Sequence, residues 1–223
     1  MPPVLGYWKQ RGLAQPIRLL LNYVEEEYEE KYYESGPAPD FSRESWLSEK
    51  FKLGLPFPNN PYWIDGDIAI VQSHAILKHL GRKHNLCPTT EQEKIRCDIL
   101  EHQLDDFVWA FIYVCYAKKL SNWDYAEKRS EYLSKLPDML KEYSEFLEDR
   151  PWFTGKNLTY VDFLAYDILD MHRVFAPGCL DDFKNLVDFM ANFEALPTIK
   201  KYMQSDRFLK KPIWNKYADW RGD

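Results

Sequence analysis

No apolar run in this 223-residue chain approaches the ~20 residues that a membrane-spanning helix requires. Positive charge is also scarce: 29 Lys+Arg face 35 Asp+Glu, a net charge of −6, and the densest basic stretches are pairs such as Lys200-Lys201 and Lys210-Lys211. A nucleic-acid partner needs a concentrated cationic face, so that class is excluded. Met1-Pro2-Pro3 leads straight into a strand pattern with no signal-peptide apolar region, which predicts a cytoplasmic protein. Cys87, Cys97, Cys115 and Cys179 lack the paired spacing of a disulfide framework or a zinc site. His74, His79 and His84 recur every five residues, which on a helix turns ~140° per step, so they cannot share one metal-binding face. No metal is expected. The chain contains no Gly-x-Gly, no Walker sequence and no Gly-x-Ser-x-Gly, which removes the common nucleotide-binding and serine-hydrolase signatures.

What is present is a large apolar and aromatic content, 45% and 16%, enough for one large or two modest cores. The chain is organised around Val4-Leu5-Gly6-Tyr7-Trp8 and the helical segment that comes after it. Strand alternation sends Leu5 and Tyr7 to one face and Val4 and Trp8 to the other. Pro16 suits a first helical turn, and Ile17, Leu20, Leu21 and Val24 recur at helical spacing. Residues 28–33 alternate as an edge strand, so strand, helix and strand form a right-handed βαβ unit with parallel strands. Residues 34–42 read as a loop. Arg43, Trp46, Lys50 and Phe51 then fall on a short helix, stacking an aromatic between two cations.

Pro56, Pro58 and Pro61 keep residues 54–61 out of helix and central strand, and Asn60-Pro61 is the candidate cis peptide. Tyr62-Trp63-Ile64, the turn signal Asp65-Gly66 and Ile68-Ala69-Ile70-Val71 predict a hairpin. Ser73 is placed to cap a helix carrying Ile76, Leu77 and Leu80. The order β-α-β-α-β-β-α describes a small thioredoxin-like domain over residues 1–84. Residues 85–89 read as a linker. Residues 90–223 show no strand pattern and are expected to be all-α, so the fold class is α/β plus all-α. Thr90-Glu91-Gln92-Glu93 is a capping box opening a long helix whose apolar face is Ile95, Ile99, Phe107, Phe111, Ile112 and Cys115. A second long helix covers about 125–148 with a kink expected at Pro137. Thr159 to Asp162 forms another N-terminal box, and helices near 182–194 and 197–206 precede a tail containing Trp and Pro.

A thioredoxin-like redox enzyme would carry Cys-x-x-Cys after its first strand, whereas the first cysteine here is Cys87. The head of the βαβ unit instead offers Tyr7, a hydroxyl donor without a nucleophile of its own, suited to activating a nucleophile that a ligand brings. At this point the chain resembles the cytosolic glutathione transferases, most closely the mu class. Gly6-Tyr7-Trp8, Gly-Pro-Ala-Pro-Asp at 36–40, Trp46, residues 50–55, Phe57-Pro58-Asn59, Gln72-Ser73, residues 82–86 and Thr159 to Asp162 all fit, and the likeness runs end to end.

The resemblance implies a homodimer, with Phe57 as the aromatic key entering the neighbouring subunit, that adds the glutathione thiolate to small electrophilic, largely apolar compounds in detoxification. By position it implies that Tyr7 donates to the thiolate and that Trp8, Arg43, Trp46 and Lys50 hold the glycine carboxylate. Asn59 and the backbone of Asn60 hold the cysteinyl part, Gln72 and Ser73 the γ-glutamyl carboxylate, and Asp106 reaches the ammonium from the other subunit. It places Leu13, Trp109, Tyr116 and Trp214 around the electrophile. The bottom-up reading meets it at two points: the cationic aromatic face at 43–50 and the helix start at 72–73 each suit a carboxylate. The sequence departs from the class at Asn60, usually Leu, at the bulkier Trp109 and Trp214, and in a longer segment over 117–132. Rival functions are a non-catalytic carrier of hydrophobic ligands and a glutathione-dependent isomerase.

Overall fold

The computed structural model describes residues 2–222. Its first part is a four-stranded mixed sheet with strand order β2-β1-β3-β4. Strand β1 (Val4–Trp8) pairs in parallel with β2 (Glu29–Tyr33) and antiparallel with β3 (Tyr62–Asp65), and β3 pairs antiparallel with β4 (Ile68–Val71). Helix α1 (Gln15–Tyr23) makes the crossover after a 3₁₀ turn at Gly12–Ala14, with Pro16 in its first turn where a missing N–H costs nothing. A single turn, α2 (Glu44–Leu47), precedes the hairpin, and α3 (Ser73–Lys83) closes the layer.

Alternation along β1 divides the packing. Leu5 and Trp63, both fully buried, join the large core with Ile17 and Leu20 of α1 and Ile76 and Leu80 of α3. On the other face Val4 and Trp8 pack against a smaller cluster of Tyr33, Trp46, Leu55, Tyr62 and Val71. Gly6 is required between them, since a Cβ there would overlap the Tyr62 ring. The hairpin turn centres on Gly66 and Asp67 rather than Asp65-Gly66: Asp65 is still paired with Ile68, and Gly66 takes φ +58°.

The helical part comprises α4 (Glu91–Cys115), α5 (Ala117–Ser121), α6 (Tyr125–Leu147), α7 (Tyr160–Phe175), α8 (Lys184–Ala195) and α9 (Pro197–Met203). Both expected capping boxes form, Thr90 with Glu93 and Thr159 with Asp162. Pro137 is accommodated inside α6. The apolar face of α4 needs correction. Phe107, Phe111, Ile112 and Cys115 are buried as expected, but Ile95 and Ile99 are 53% and 54% exposed, and Cys97, Leu100 and Leu104 face inward in the first half of the helix in their place. Residues 117–132 form α5, the left-handed Asn122 and the start of α6, which Asp124 caps by accepting from the Glu127 N–H.

A buried polar seam joins the two parts. The Arg11 guanidinium donates to Asp167 Oδ1 (2.5 Å) and Asp170 Oδ2 (2.7 Å) on α7. Arg18, fully buried in an otherwise apolar helix face, pairs with Glu30 and donates to the Gln10 carbonyl (2.7 Å). Buried pairs of this kind contribute little net stability but fix orientation, because either charge left alone would be costly. What they orient is the connection between β1 and α1. The tail after α9 closes on the same connection: Arg11 and Gly12 N–H donate to the carbonyls of Pro212 (2.9 Å) and Ile213 (3.0 Å).

Candidate functional site

Topology gathers the site at one edge of the sheet. Strands β1, β2 and β4 leave at this edge, and antiparallel β3 enters there, so Tyr62 sits between Gly6 and Val71. Tyr7 and Trp8 therefore share an edge with Asn59, Asn60 and the Asn60-Pro61 peptide, which is cis as expected, and with Gln72 and Ser73.

Tyr7 is 5% exposed, and its Oη accepts the Leu13 N–H at 3.1 Å. That leaves the O–H proton free to donate. Burial pushes the phenol above its ordinary pKa, opposed by the Leu13 N–H, the Gln10 side chain and the Arg18 charge, whose Cζ lies 5.9 Å from the ring centroid. Tyr7 is thus a neutral donor throughout the neutral pH range. Gly12 is required beside it: φ is +45°, and a Cβ would stand 2.5 Å from the phenol oxygen.

Around this donor the predicted residues fall into three groups. Trp8 meets Tyr33 edge-on (6.2 Å), and Trp46 packs on Tyr33 (5.1 Å) and stacks on Tyr62 (6.0 Å). Trp46 is therefore 96% buried core as well as a neighbour of the site. The expected helix over 43–51 is shorter: Arg43 is its cap residue, α2 ends at Leu47, and turn-type bonds from the N–H groups of Glu49 (3.1 Å) and Lys50 (2.9 Å) to the Trp46 carbonyl carry the chain onward. Arg43 stays exposed and Lys50 is half-buried, its ammonium 5.2 Å from the Phe51 ring, so only one of the three stacked residues is fixed by packing.

At the start of α3, Ser73 does not cap. Gln72 holds the cap position at φ +74°, ψ +117°, outside the region open to most L-residues, and no side chain bonds the first N–H groups. Strain of ~1–3 kcal/mol persists only where the surroundings enforce it, and such positions cluster at ligand clamps. The first N–H groups of the helix therefore have no side-chain partner within the protein, and a helix start of this kind suits an anion. Asn59 Oδ1 accepts the Asn60 N–H (2.9 Å), and the buried Asn60 Nδ2 has no partner.

On the aromatic side, Tyr116 Oη accepts the Asn215 N–H (3.0 Å), and burial raises its pKa in the same sense as that of Tyr7. Trp214 is 97% buried, T-shaped to Tyr116 at 6.1 Å, and shares a cavity of about 50 Å³ with Trp8, Tyr33 and Asn215. Leu13 is half-buried next to the Tyr7 hydroxyl. Trp109 stands apart, 46% exposed on α4, and Asp106 is likewise exposed.

No cysteine lies at this edge. Cys115, next to Tyr116 and against Trp214, is fully buried and burial raises its thiol pKa, as it pushes Cys97 up to about 12 and Cys179 to about 11, so none of these is a thiolate. Among the described residues no group of three or more His, Cys, Asp or Glu could hold a metal. The site can donate a hydrogen bond to a nucleophile but does not contain one.

Residues 3–82 match the family model described as Glutathione S-transferase, N-terminal domain, and residues 105–206 match Glutathione S-transferase, C-terminal domain. Glutathione S-transferase Mu 2 of Rattus norvegicus is 57% identical over 220 residues, 99% of each chain, and Glutathione S-transferase Mu 1 of Homo sapiens is 55% identical over the same span and coverage. The chain belongs to the mu-class glutathione S-transferases. The crystal structure of the glutathione S-transferase Blo t 8 superposes with a TM-score of 0.88 at 36% identity, covering 96% of this chain and 98% of that one. Membership of the family accounts for the thioredoxin-like first part without a Cys-x-x-Cys.

The residue-level reading missed Gln10, Arg11 and Arg18 beneath the site. Arg18 carried a signal, a lone charge within Ile17-Arg18-Leu19-Leu20-Leu21 on a helix otherwise buried along that face. The tail residues beyond Trp214 carried none, because nothing local reveals that residues 212–217 fold back onto the first strand's exit.

Proposed function

We propose that this transferase ionises glutathione against Tyr7 and conjugates it to small, largely apolar electrophiles, serving detoxification in the cytoplasm. The observation that carries the reading is the Tyr7 hydroxyl: buried, neutral, fed by the Leu13 N–H, and poised to donate. The thiolate sulfur forms a bond to the electrophilic carbon, and the leaving group departs with its electron pair. A thiol of pKa ~8.5 is only a few per cent ionised at pH 7. A hydrogen bond to the thiolate, worth ~1.5–3 kcal/mol, lowers that pKa by about one to two units. The thiolate fraction then rises about tenfold, and holding the electrophile against the sulfur contributes the remaining acceleration.

In this reading the unpartnered start of α3, with Gln72 and Ser73, takes the γ-glutamyl carboxylate. Asn59 and the Asn60 backbone take the cysteinyl part. Trp8, Arg43, Trp46 and Lys50 take the glycine carboxylate. Leu13, Tyr116, Trp214 and, from its exposed place on α4, Trp109 contact the electrophile. Asp106 serves the site of a second copy. A homodimer is supported by Phe57, which is 87% exposed, together with the exposed Ile95 and Ile99. An apolar cavity of about 190 Å³ between Ile99, Leu100, Tyr143 and Phe146 offers such a ring a seat. Phe57→Ser is expected to shift sedimentation toward monomer.

The deciding experiment follows thiolate ultraviolet absorbance on glutathione binding across pH. Tyr7→Phe is expected to raise the bound thiol's pKa by about one to two units and to cut kcat at pH 6.5 by about ten- to a hundredfold. Unchanged values would remove the thiolate role.

A further inference from the structure

Tyr217 belongs to none of the groups described so far, yet three elements meet on it. Its ring packs on Tyr116 at 5.7 Å and on Phe41, from the loop after β2, at 6.1 Å, while Lys119 lies 6.0 Å from its centroid. Asn215 controls two phenols at once: its backbone N–H donates to Tyr116 Oη (3.0 Å) and its side-chain Nδ2 donates to Tyr217 Oη (3.3 Å). Each hydroxyl accepts its N–H and keeps its own proton for a ligand, the arrangement already met at Tyr7. Tyr217 adds to the upward push on the Tyr7 phenol, and both Tyr7 and Tyr217 do so on Tyr116. The tail is pinned where this requires it, by Arg11 and Gly12 before Tyr217 and by the Asp219 N–H to the Cys115 carbonyl (2.8 Å) after it.

We infer that Tyr217, oriented by Asn215 and backed by Phe41, is a specificity-determining residue that favours flat aromatic electrophiles bearing a nitro or carbonyl oxygen. Attack by the thiolate on an activated aryl halide forms the carbon–sulfur bond and sends an electron pair through the ring onto the nitro oxygens. The pair then returns to expel halide. A phenolic O–H beside such an oxygen bonds most strongly when the charge arrives, so its contribution falls on kcat. The ring adds a stacking face. Displacement of halide from a saturated carbon puts no charge on a ligand oxygen and gains nothing from Tyr217.

The inference rests on the transferase reading, and the test keeps the two apart. Full-length parent, Tyr217→Phe, Tyr217→Ala and Asn215→Ala are assayed with 1-chloro-2,4-dinitrobenzene and with an alkyl iodide, alongside the KM for glutathione. Tyr217→Phe is expected to lower kcat for the nitroaryl halide about three- to tenfold, the size of one lost hydrogen bond. Tyr217→Ala is expected to lower it further and to raise the electrophile KM. Asn215→Ala, which keeps the backbone N–H to Tyr116, should reproduce part of the Tyr217→Phe loss. Rates with the alkyl iodide and the glutathione KM are expected to stay within about twofold, a split that general unfolding of the tail would not give. Equal losses on both electrophiles, or none, with an active parent would overturn the assignment of Tyr217 alone. A parent that conjugates neither compound would overturn the transferase reading together with it.

Discussion

The open edge of the sheet and the Asp162 and His172 clusters of the helical half treat their polar groups in opposite ways. At the open edge of the sheet, Asn60 Nδ2 and the first N–H groups of α3 have no protein partner. Inside the helical half, Asp162 and His172 are fully buried and closed on partners within the fold. Asp162 accepts from the N–H of Phe153 (2.9 Å) and from both the N–H (2.8 Å) and the hydroxyl (3.0 Å) of Thr159. The His172 ring lies on Phe107 with centroids 4.1 Å apart, donates through Nδ1 to the Ile168 carbonyl (2.7 Å) and meets the Tyr132 hydroxyl at Nε2 (2.7 Å). Because an unmade hydrogen bond is costly, a group already closed on partners gains nothing from a guest, whereas the open groups at the sheet edge can gain a bond from one.

This contrast is broken most severely at Asp162. Asp162→Ala strands two buried N–H groups and a hydroxyl, and is expected to cost roughly 3–5 kcal/mol in urea unfolding without altering the glutathione KM of the folded fraction. His172 is next. Burial holds its pKa at about 4 against an ordinary 6.5. The unfolded chain takes up a proton near pH 6.5 that the folded ring refuses, so this stability is fully present above 6.5 and is lost as pH falls toward 4. The loss reaches about 3 kcal/mol. A stability profile over that range should flatten in His172→Gln. The smallest effect sharpens the other side of the comparison: Ser73→Ala removes no bond within the protein. It is expected to leave thermal stability unchanged while raising the glutathione KM about tenfold, the loss of one hydrogen bond to a charged group.

How far the sequence reached follows the same division. The hairpin, the cis Asn60-Pro61 and both capping boxes were legible because each rests on contacts within a few residues, and the βαβ unit because the crossover rule supplies the pairing of its two more distant strands. Ser73 was misread as a cap because no local rule puts Gln72 at φ +74°; the sheet edge and α3 impose it together. Ile95 and Ile99 were placed inward because a helix carrying apolar residues on two faces gives periodicity no means of choosing between them. Arg11 and Arg18 are defined by partners on α7 and β2, so their burial is a tertiary fact. The electrophile side was least legible, since Trp214, Asn215 and Tyr217 reach Tyr7's surroundings only by a return of the chain over some two hundred residues.

That return has a temporal consequence. The carbonyls of residues 212 and 213 hold the backbone immediately after the first strand, so that backbone waits for a segment made about two hundred residues later. During translation the chemistry of the thioredoxin-like layer stays unfinished until the tail has emerged and settled, however early the sheet itself is made.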